Sequence, residues 1–345
     1  MNNLLKILNN TACNTYVIAE AGLNHNGSLE TALKLIDVAA AAGADAVKFQ
    51  KRTVDKLATA DVLDSEDSRF PVFGKTYREV REHIELNQEE YIKLKQYSES
   101  QNLDFMVTAF DIDAVDFLEV LDVDSYKLAS HSLTNLELLD YLSRVLKPTI
   151  LSTGMAEWGE IDRAVNIFKQ NNCPFALLHC VSAYPTPLGQ CNLKLIAELQ
   201  SRYGVPVGYS GHELGFFPSI CAVAGGARII ERHYTLDNSM IGFDHKISLE
   251  PDELTQMVTQ IRDVEKILGN GVKEVSEVEQ ITRDKYHVSM VLSNPMEKGM
   301  VLENNMIEYR NPGTGIPPKS AHQVLGKRAK YPIEKGTLLD LMMFE

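Results

Sequence analysis

The sequence predicts an α/β protein, a (β/α)8 TIM barrel followed by a small β-rich domain. The chain has 345 residues, which is enough for one large α/β domain and a smaller one. Eight apolar or β-branched runs of strand length alternate with segments of helical spacing. After residue 287 the helical period is lost, and short apolar pieces alternate with proline and glycine turns.

Each run of the alternating region predicts one barrel element. The expected strands are residues 16–19, 46–49, 104–107, 125–128, 149–151, 175–178, 206–208 and 227–230. The expected helices are residues 28–42, 88–101, 114–121, 136–146, 161–171, 193–203, 216–224 and 251–268. Eight β/α units in about 255 residues fit a TIM barrel better than a doubly wound sheet, which has fewer strands. Gly22 and Gly27 form no GxGxxG pattern, so no dinucleotide site is predicted.

The chain divides into three predicted segments. Residues 1–270 form the barrel domain, 271–286 a polar, glycine-containing linker with a charged helix-like piece, and 287–345 the second domain. The last segment contains a small internal repeat, EKGMVL at 297–302 and EKGTLL at 334–339. About 60 residues are few for independent stability, so this domain is expected to pack on another surface.

Composition and charge exclude several classes of protein. A net charge of −13 without a basic stripe argues against a nucleic-acid partner. The five cysteines contain no CxxC pair, so neither a disulfide framework nor a zinc ribbon is predicted, and a reducing cytoplasm is expected. The first apolar run is too short for a signal peptide, and no later run reaches membrane-spanning length, so no membrane association is expected.

Two histidines are the strongest candidates for metal ligands. His212 and His233 each lie at the end of a short apolar run that is typical of a strand. Neutral imidazole is the commonest side-chain ligand of divalent transition ions, and histidines at the ends of successive strands can converge on one point. The alternative is that they are ordinary hydrogen-bonded core histidines. The ends of nearly all the remaining strands also carry polar or ionisable residues, and this favours a metal site over two isolated core histidines.

The active sites of TIM barrels lie at the carboxyl ends of the strands, so the polar residues there predict one constellation. Lys48 and Lys127 stand inside apolar runs, where a lysine is unfavourable unless it faces an anion. With the neighbouring hydroxyls they would suit a phosphate and a carboxylate. The alternative is that both lysines extend to solvent at the rim. The whole set of residues at these strand ends is Glu20, Lys48, Gln50, Thr108, Phe110, Lys127, Ser130, Ser152, Thr153, His179, Tyr184, Ser210, His212, His233 and Asp244.

At this point the chain resembles a known family. The resemblance rests on IAEAGLNHNG at 18–27, VKFQ at 47–50, LSTGM at 151–155, LHC at 178–180, YPTP at 184–187, GYSGH at 208–212, ERHYTLD at 231–237 and DH at 244–245. In this order they are similar to the motifs of the sialic acid synthase family, which includes N-acetylneuraminate, legionaminate and pseudaminate synthases. The resemblance covers the chain from about residue 14 to the end and implies a TIM barrel followed by an antifreeze-like (SAF) domain.

The resemblance also implies an activity. Members of this family condense phosphoenolpyruvate with an N-acylated hexosamine, giving a nonulosonic acid and phosphate. His212 and His233 would hold a divalent metal, Mn²⁺ or Mg²⁺, that polarises the sugar aldehyde. Glu20 would act as acid/base or electrostatic stabiliser, and Tyr184 and Asp244 would hold the open-chain sugar. The phosphoenolpyruvate contacts implied are Lys48, Thr108, Lys127, Ser130, Ser152 and Ser210. A homodimer is implied, in which Arg310 of a domain-swapped C-terminal domain reaches the partner's site.

The chain departs from the family pattern at four positions. Ser132 and Gly211 stand where carboxylates are common, and Ser182 stands where bacterial N-acetylneuraminate synthases have asparagine. Arg310 precedes Asn-Pro-Gly, so the arginine of the usual Arg-Pro-Gly loop is displaced by one residue. The residues that contact the sugar, and therefore the N-acyl group and any 6-phosphate that it carries, are left open.

Two other classes of protein also fit the residues. A class I pyruvate aldolase would use Lys127 or Lys48 as a Schiff base, and borohydride trapping with pyruvate would reveal it. A non-catalytic sugar-binding barrel would use the C-terminal domain as an interaction module. Release of phosphate from phosphoenolpyruvate would exclude this second class.

Overall fold

The computed structural model describes residues 3–11 and 14–345. Two compact units make up the chain, Met1–Gly269 and Asn270–Glu345. The predicted linker, residues 271–286, includes one helix of the second unit. No helix in the described residues is long and apolar enough to cross a membrane. Cys13 lies outside the described residues, and the other four cysteines are free thiols.

The first unit is a closed parallel barrel, which confirms the predicted fold class. Its eight strands pair in chain order, and the last pairs with the first. The strands are β1 (Tyr16–Gly22), β2 (Ala46–Lys51), β3 (Asp104–Ala109), β4 (Tyr126–Leu128), β5 (Thr149–Ser152), β6 (Phe175–Cys180), β7 (Val207–Gly211) and β8 (Ile229–His233). All eight expected strands are present. Several extend two or three residues further toward the carboxyl end, because the polar site residues continue the strands.

The helices surround this barrel. They are α1 (Asn3–Leu8), α2 (Leu29–Ala41), α3 (Val54–Leu57), α4 (Ala60–Leu63), α5 (Tyr77–Ile84), α6 (Gln88–Ser100), α7 (Ile112–Val120), α8 (Leu136–Arg144), α9 (Trp158–Gln170), α10 (Leu195–Tyr203), α11 (Phe217–Ala224) and α12 (Pro251–Leu268). The sequence did not predict α1, or α3 to α5 in the long connection after β2. These helices have only four to eight residues, which is too short for an apolar period to be recognised.

The side chains that point into the barrel are apolar at its amino-terminal end and polar at its carboxyl end. Successive side chains of a strand point to opposite faces, so every second residue points inward. On β2 the inward series is Ala46, Lys48 and Gln50, and on β8 Ile229 is followed by Glu231. Ala46 and Ile229 belong to the apolar interior, whereas Lys48, Gln50 and Glu231 line a cavity at the carboxyl end.

The amino-terminal end of the barrel is filled by apolar side chains. Leu4 and Ile7 of α1 join this interior cluster and are buried. The cluster members contributed by the strands are Tyr16, Ile18, Ala46, Met106, Ile150, Ala176, Leu178 and Ile229. A larger apolar layer lies between the outward faces of the strands and the helices. The polar end therefore rests on a close-packed floor, which keeps its side chains in place.

The second unit contains the internal repeat. It consists of α13 (Glu277–Tyr286), the antiparallel strands β9 (Ser289–Leu292) and β10 (Ile307–Arg310), and turns packed on an apolar cluster. Gly299 and Gly336 occupy the same position in the two repeats and both have φ of 83°, the left-handed conformation that favours glycine. Met296 and Ile333, which precede the turns, exchange backbone hydrogen bonds of 2.8 and 2.9 Å.

Candidate active site

A cavity of about 330 Å³ lies at the carboxyl ends of the barrel strands. All the predicted site residues of the barrel except Thr153 and His179 contribute to its wall. Those that do are Glu20, Lys48, Gln50, Thr108, Phe110, Lys127, Ser130, Ser152, Ser182, Tyr184, Ser210, His212, His233 and Asp244. Arg310 belongs to the second unit, where it ends β10 and pairs with Glu308.

Strand register brings the acid, one lysine and one histidine together. Glu20 on β1 is aligned with Lys48 on β2 and with His233 on β8. The Lys48 ammonium lies 2.7 Å from Glu20 Oε2 and donates to Thr108 Oγ1 at 2.8 Å. Gln50 Nε2 donates to Glu20 Oε1 at 2.6 Å. The Glu20 carboxylate is therefore fixed between an amide and an ammonium.

The second lysine, Lys127, is also buried and has its own hydrogen-bond partners. Lys127 Nζ donates to Ser152 Oγ at 2.7 Å and to the Leu128 carbonyl at 3.1 Å. Burial lowers the pKa of Lys127, while the negative charge of Glu231 opposes that effect. Both lysines have side chains only 3% exposed, which excludes the alternative that they extend to solvent at the rim.

Glu231 is a cavity residue that the sequence analysis did not assign. Its two oxygens lie 3.7 Å from Lys48 Nζ and 3.9 Å from Lys127 Nζ, and Ser210 Oγ donates to it at 3.0 Å. Burial disfavours its charge, but the two ammonium groups outweigh burial and keep the pKa of this carboxyl below its usual range. Its spacing of two residues from His233 on one strand was the available signal, since both must face inward.

A glycine allows three small polar side chains to meet. The Gly154 amide donates to Ser130 Oγ at 3.0 Å. A Cβ on Gly154 would lie 2.5 Å from Ser182 Oγ, 2.8 Å from Ser130 Oγ and 3.2 Å from Cys180 Sγ. The hydroxyl cluster thus depends on the missing side chain, as is common where backbone closely approaches a ligand site.

The two candidate metal ligands lie side by side. The ring centroids of His212 and His233 are 5.6 Å apart. His212 Nδ1 lies 3.0 Å from the Val181 carbonyl, which can only accept, so Nδ1 carries the proton and Nε2 a lone pair. Burial, and then the neighbouring His233, lowers the pKa of His212 to about 3. His212 is therefore neutral, the form that binds metal.

These two histidines fit a divalent ion. His233 Nδ1 is buried and has no hydrogen-bond partner among the described residues. The described part of the chain contains no cluster of three or more His, Cys, Asp or Glu side chains with metal-ligand geometry. An ion here would take two imidazoles from the protein and its other ligands from water and substrate, as catalytic sites with open positions do.

The structure gives a physical reason for Gly211, one of the departures from the family pattern. A Cβ at Gly211 would lie 2.7 and 2.8 Å from the two carboxylate oxygens of Glu213. Glu213 is fully buried, pairs with Arg232 and accepts from Tyr209 at 2.8 Å. The carboxylate of Glu213 therefore fills the space that an acidic side chain at position 211 would need.

The candidate sugar contacts lie next to the histidines. The Tyr184 ring centroid is 4.2 Å from that of His212, and Asp244 Oδ2 is 3.9 Å from His233 Nδ1. Ser132 is buried, and its hydroxyl lies 2.6 Å from Nδ1 of His131, which also lines the cavity. The cavity wall further includes Arg52, Arg81 and Phe243, which the sequence analysis did not assign to the site.

Fold and cavity together define a class of protein, a TIM-barrel enzyme with a buried cationic, hydroxyl-rich pocket beside two adjacent histidines. The chain matches the model of the NeuB family over residues 35–273 and that of the SAF domain over residues 287–345. It therefore belongs to the NeuB family. The resemblance to sialic acid synthases and the predicted SAF domain are confirmed.

Relatives with established names are acid synthases. The N,N'-diacetyllegionaminic acid synthase of Campylobacter jejuni is 38% identical and covers 94% of this chain and 98% of its own. The human N-acetylneuraminate-9-phosphate synthase is 34% identical over 93% of this chain and 90% of its own length. The crystal structure of N-acetylneuraminic acid synthetase from Leptospira borgpetersenii superposes with a TM-score of 0.68 at 39% identity, covering 78% and 90%. This chain is an enzyme of the same kind, which excludes the non-catalytic sugar-binding barrel.

Proposed function

We propose that this chain condenses phosphoenolpyruvate with an N-acylated hexosamine, giving a nonulosonic acid and inorganic phosphate, and that it requires Mn²⁺ or Mg²⁺. The named relatives support a synthase of this type. The observation that carries the proposal is the pairing, in one cavity, of a buried anion pocket with two adjacent histidines. Phosphoenolpyruvate needs the anion pocket. The sugar aldehyde, which is a weak electrophile, needs the metal that the histidines would hold.

The anion pocket suits both charged groups of phosphoenolpyruvate. Lys48 and Lys127 supply positive charge, and the hydroxyls of Thr108, Ser130 and Ser152 supply donors around them. The carboxylates of Glu20 and Glu231 form ion pairs with the two ammonium groups. Arriving phosphate and carboxylate groups would share those donors, which act strongly because the site is buried.

His212 and His233 would hold the metal, which supplies Lewis acidity that polarises the aldehyde oxygen. Tyr184 and Asp244, beside the histidines, would orient the open-chain sugar so that its carbonyl carbon faces carbon 3 of phosphoenolpyruvate. Bond formation between these carbons leaves positive character on carbon 2. Glu20 lies at the junction of Lys48, Gln50 and His233, where its charge would stabilise that carbon.

The remaining step balances with water. The hydroxyl of water adds to carbon 2, and the remaining proton of that water neutralises the former aldehyde oxygen, which becomes a hydroxyl. The new hydroxyl on carbon 2 then becomes the keto group as the carbon–oxygen bond to phosphate breaks, and its proton leaves with the phosphate. Glu20 is placed to receive and return a proton during these transfers.

The test is product analysis with the purified chain. Phosphoenolpyruvate and a panel of N-acylhexosamines are incubated with Mn²⁺, phosphate is quantified, and the acid is identified by mass spectrometry. We expect sugar-dependent phosphate release in equal amounts with a nine-carbon keto acid. Absence of any sugar-dependent phosphate release across the panel would contradict the proposal.

A Schiff-base aldolase is the second candidate, because burial lowers the pKa of Lys127, as an amine nucleophile requires. Lys127 is, however, hydrogen-bonded to Ser152 and close to Glu231, so its ammonium form has partners. Incubation with pyruvate and borohydride separates the two mechanisms. A mass increase on the Lys127 peptide would favour the aldolase.

We further propose that the active enzyme is a homodimer in which Arg310 completes the partner's sugar site through a domain-swapped C-terminal domain. Arg310 has a 58% exposed side chain and pairs only with Glu308, two residues away, among the described residues. Its guanidinium is thus available for a carboxylate or hydroxyl ligand.

Free thiols at the four described cysteines support the reducing cytoplasm as the location.

A further inference from the structure

A second cavity lies beside the active-site cavity and has no role in the chemistry proposed above. We call it the side cavity. Its volume is about 700 Å³, which is within the range of small-molecule sites. It is bounded by the β5–α9 turn, the start of α9, the end of β6 and the connection from β6 to α10. Thr153 and His179, the two strand-end residues that do not line the active-site cavity, line this one.

The wall of the side cavity is largely apolar and carries no positive charge. The described residues of this wall include no lysine or arginine. His179 Nε2 lies 2.7 Å from the Cys191 carbonyl, and burial keeps the pKa of His179 below its usual range, so this imidazole is neutral. Such a wall favours a neutral, apolar group over a phosphate or a carboxylate. Its apolar side chains include Met155, Ala156, Trp158, Ile161, Leu195 and Leu199.

The side cavity and the active-site cavity share part of their walls. Met155, Cys180 and Ser182 line both. Cys180 and Ser182 are small, and Ser182 Oγ lies 4.0 Å from Cys180 Sγ. The Met155 side chain is 69% exposed, and the three rotatable bonds of a methionine allow it to adapt to a neighbouring group. A flexible part of a substrate bound in the active-site cavity could therefore extend into the side cavity.

The shared wall lies next to the proposed metal site. Cys180 Sγ is 3.8 Å from Nδ1 of His212. The metal held by His212 and His233 would bind the sugar aldehyde, and the acylated nitrogen of a 2-amino hexose is on the carbon next to that aldehyde. Of all the substituents of the sugar, the N-acyl group is therefore attached closest to the shared wall.

We propose that the side cavity receives the N-acyl group of the sugar, and that this enzyme prefers an unbranched acyl chain longer than acetyl. This inference rests on the proposed function, whose N-acyl group it specifies. An acyl chain is neutral and apolar, as the wall of the side cavity requires. Each methylene that leaves water for such a wall strengthens binding about fourfold.

The test compares the N-acetyl, N-propanoyl, N-butanoyl and N-pentanoyl derivatives of mannosamine, using the full chain, phosphoenolpyruvate and Mn²⁺. We expect kcat/KM to rise about two- to fourfold with each methylene, so that the pentanoyl sugar exceeds the acetyl sugar about tenfold or more. The measured quantity is this ratio of kcat/KM between the pentanoyl and the acetyl sugar.

Leu195→Trp tests the placement of the acyl chain. Leu195 is half-buried at the start of α10, and a tryptophan there would fill part of the side cavity. We expect the ratio to fall to about one, because the longer chain loses its space. Leu188→Trp is the matched control, since Leu188 lies on the same connection but is 66% exposed and lines neither cavity. It should keep the wild-type ratio.

Thermal unfolding of both variants shows whether each one folds. If Leu195→Trp lowers the thermal transition by more than a few degrees, Leu195→Phe adds less volume and provides the same measurement. Three results would overturn the proposal: a wild-type ratio of one or below, a wild-type ratio retained in the Leu195 variant, or an equal fall of the ratio in the Leu188 control.

Failure of the proposed function gives a different result, because no sugar of the series would then release phosphate from phosphoenolpyruvate. Calorimetric titration with N-pentanoylmannosamine in the presence of Mn²⁺ still decides the role of the side cavity in that case. The wild type should bind this sugar more tightly than the acetyl sugar and more tightly than Leu195→Trp binds it. Equal affinities would overturn the proposal.

Discussion

At the residue scale, the site is built from ionisable groups that neutralise one another. Glu20 and Glu231 hold Lys48 and Lys127 in a volume that is almost closed to solvent. Such pairs contribute little net stability, because burying each charge offsets their attraction. Their value lies in preorganisation, since the charges already stand where the substrate's anionic groups would bind.

The first prediction at this scale concerns His233. His233→Ala removes one of two proposed protein ligands, so we expect turnover to be lost, together with Mn²⁺ binding measured by calorimetry. The apolar floor of the barrel does not involve this side chain, so the thermal transition should stay within a few degrees of the wild type. Chelation should abolish wild-type activity and Mn²⁺ should restore it. An active His233→Ala enzyme that is insensitive to chelators would refute the assignment.

The sequence predicted most of the residues that meet in the cavity, because strand ends of a TIM barrel converge. Lys48 and Lys127 stood out as lysines within apolar runs. Glu231 could have been found by counting two residues back from His233. Arg52 and Arg81 could not, because they come from the irregular connection after β2, where no periodicity relates sequence position to the barrel axis.

At the element scale, tight turns after the strands fix the small side chains. In the β5–α9 turn, Gly154→Ala would place a methyl group against Ser130 and Ser182, which it would have to displace. We expect KM for phosphoenolpyruvate to rise about tenfold or more, because at least one hydroxyl contact to the anion is lost. Steady-state kinetics at saturating sugar measures this change.

Gly159→Ala on the neighbouring helix α9 is the control for this substitution. A Cβ there would meet only the end of Arg163 at 3.8 Å, an ordinary contact. It should leave KM unchanged and slightly increase stability, since alanine favours helix. Equal kinetic effects of the two substitutions would show that the turn tolerates a side chain.

The outward face of β8 carries a second structural device, a fully buried ion pair. Arg232 pairs with Glu213 and donates to the Glu213 carbonyl at 2.7 Å, which ties β8 to the segment after β7. Arg232→Met would leave the Glu213 carboxylate buried without its cation. We expect the free energy of unfolding of the barrel to fall by about 3–5 kcal/mol.

Urea unfolding followed by fluorescence measures this loss. Trp158, the only tryptophan in the chain, lies on α9 and so reports the barrel unit alone. The matched control is Arg144→Met, which removes an exposed pair with Asp140 and should leave the urea midpoint close to that of the wild type, because water screens the pair. If the two variants unfold at the same urea concentration, the buried pair has no structural role.

At the scale of the whole molecule, the proposed dimer predicts complementation between two inactive chains. His233→Ala and Arg310→Ala should each be poorly active alone. When the two are mixed and allowed to exchange subunits, hybrid dimers should regain one intact site, because the partner of each defect supplies what is missing. Activity of the mixture and native mass spectrometry measure recovery and exchange. Demonstrated exchange without recovery would mean that Arg310 does not act across the dimer.

The closure of the barrel by β1 and β8 has a consequence for the timing of synthesis. Glu20 is near the start of the chain, while its neighbour His233 is on the last strand. At 5–20 residues per second, a ribosome needs roughly 10 to 40 s to pass from one to the other. Throughout that interval the edge of β1 that will pair with β8 has no partner strand, and such an edge is prone to association with other nascent chains. Chaperone binding during translation should therefore be strongest before β8 emerges and should fall once it does.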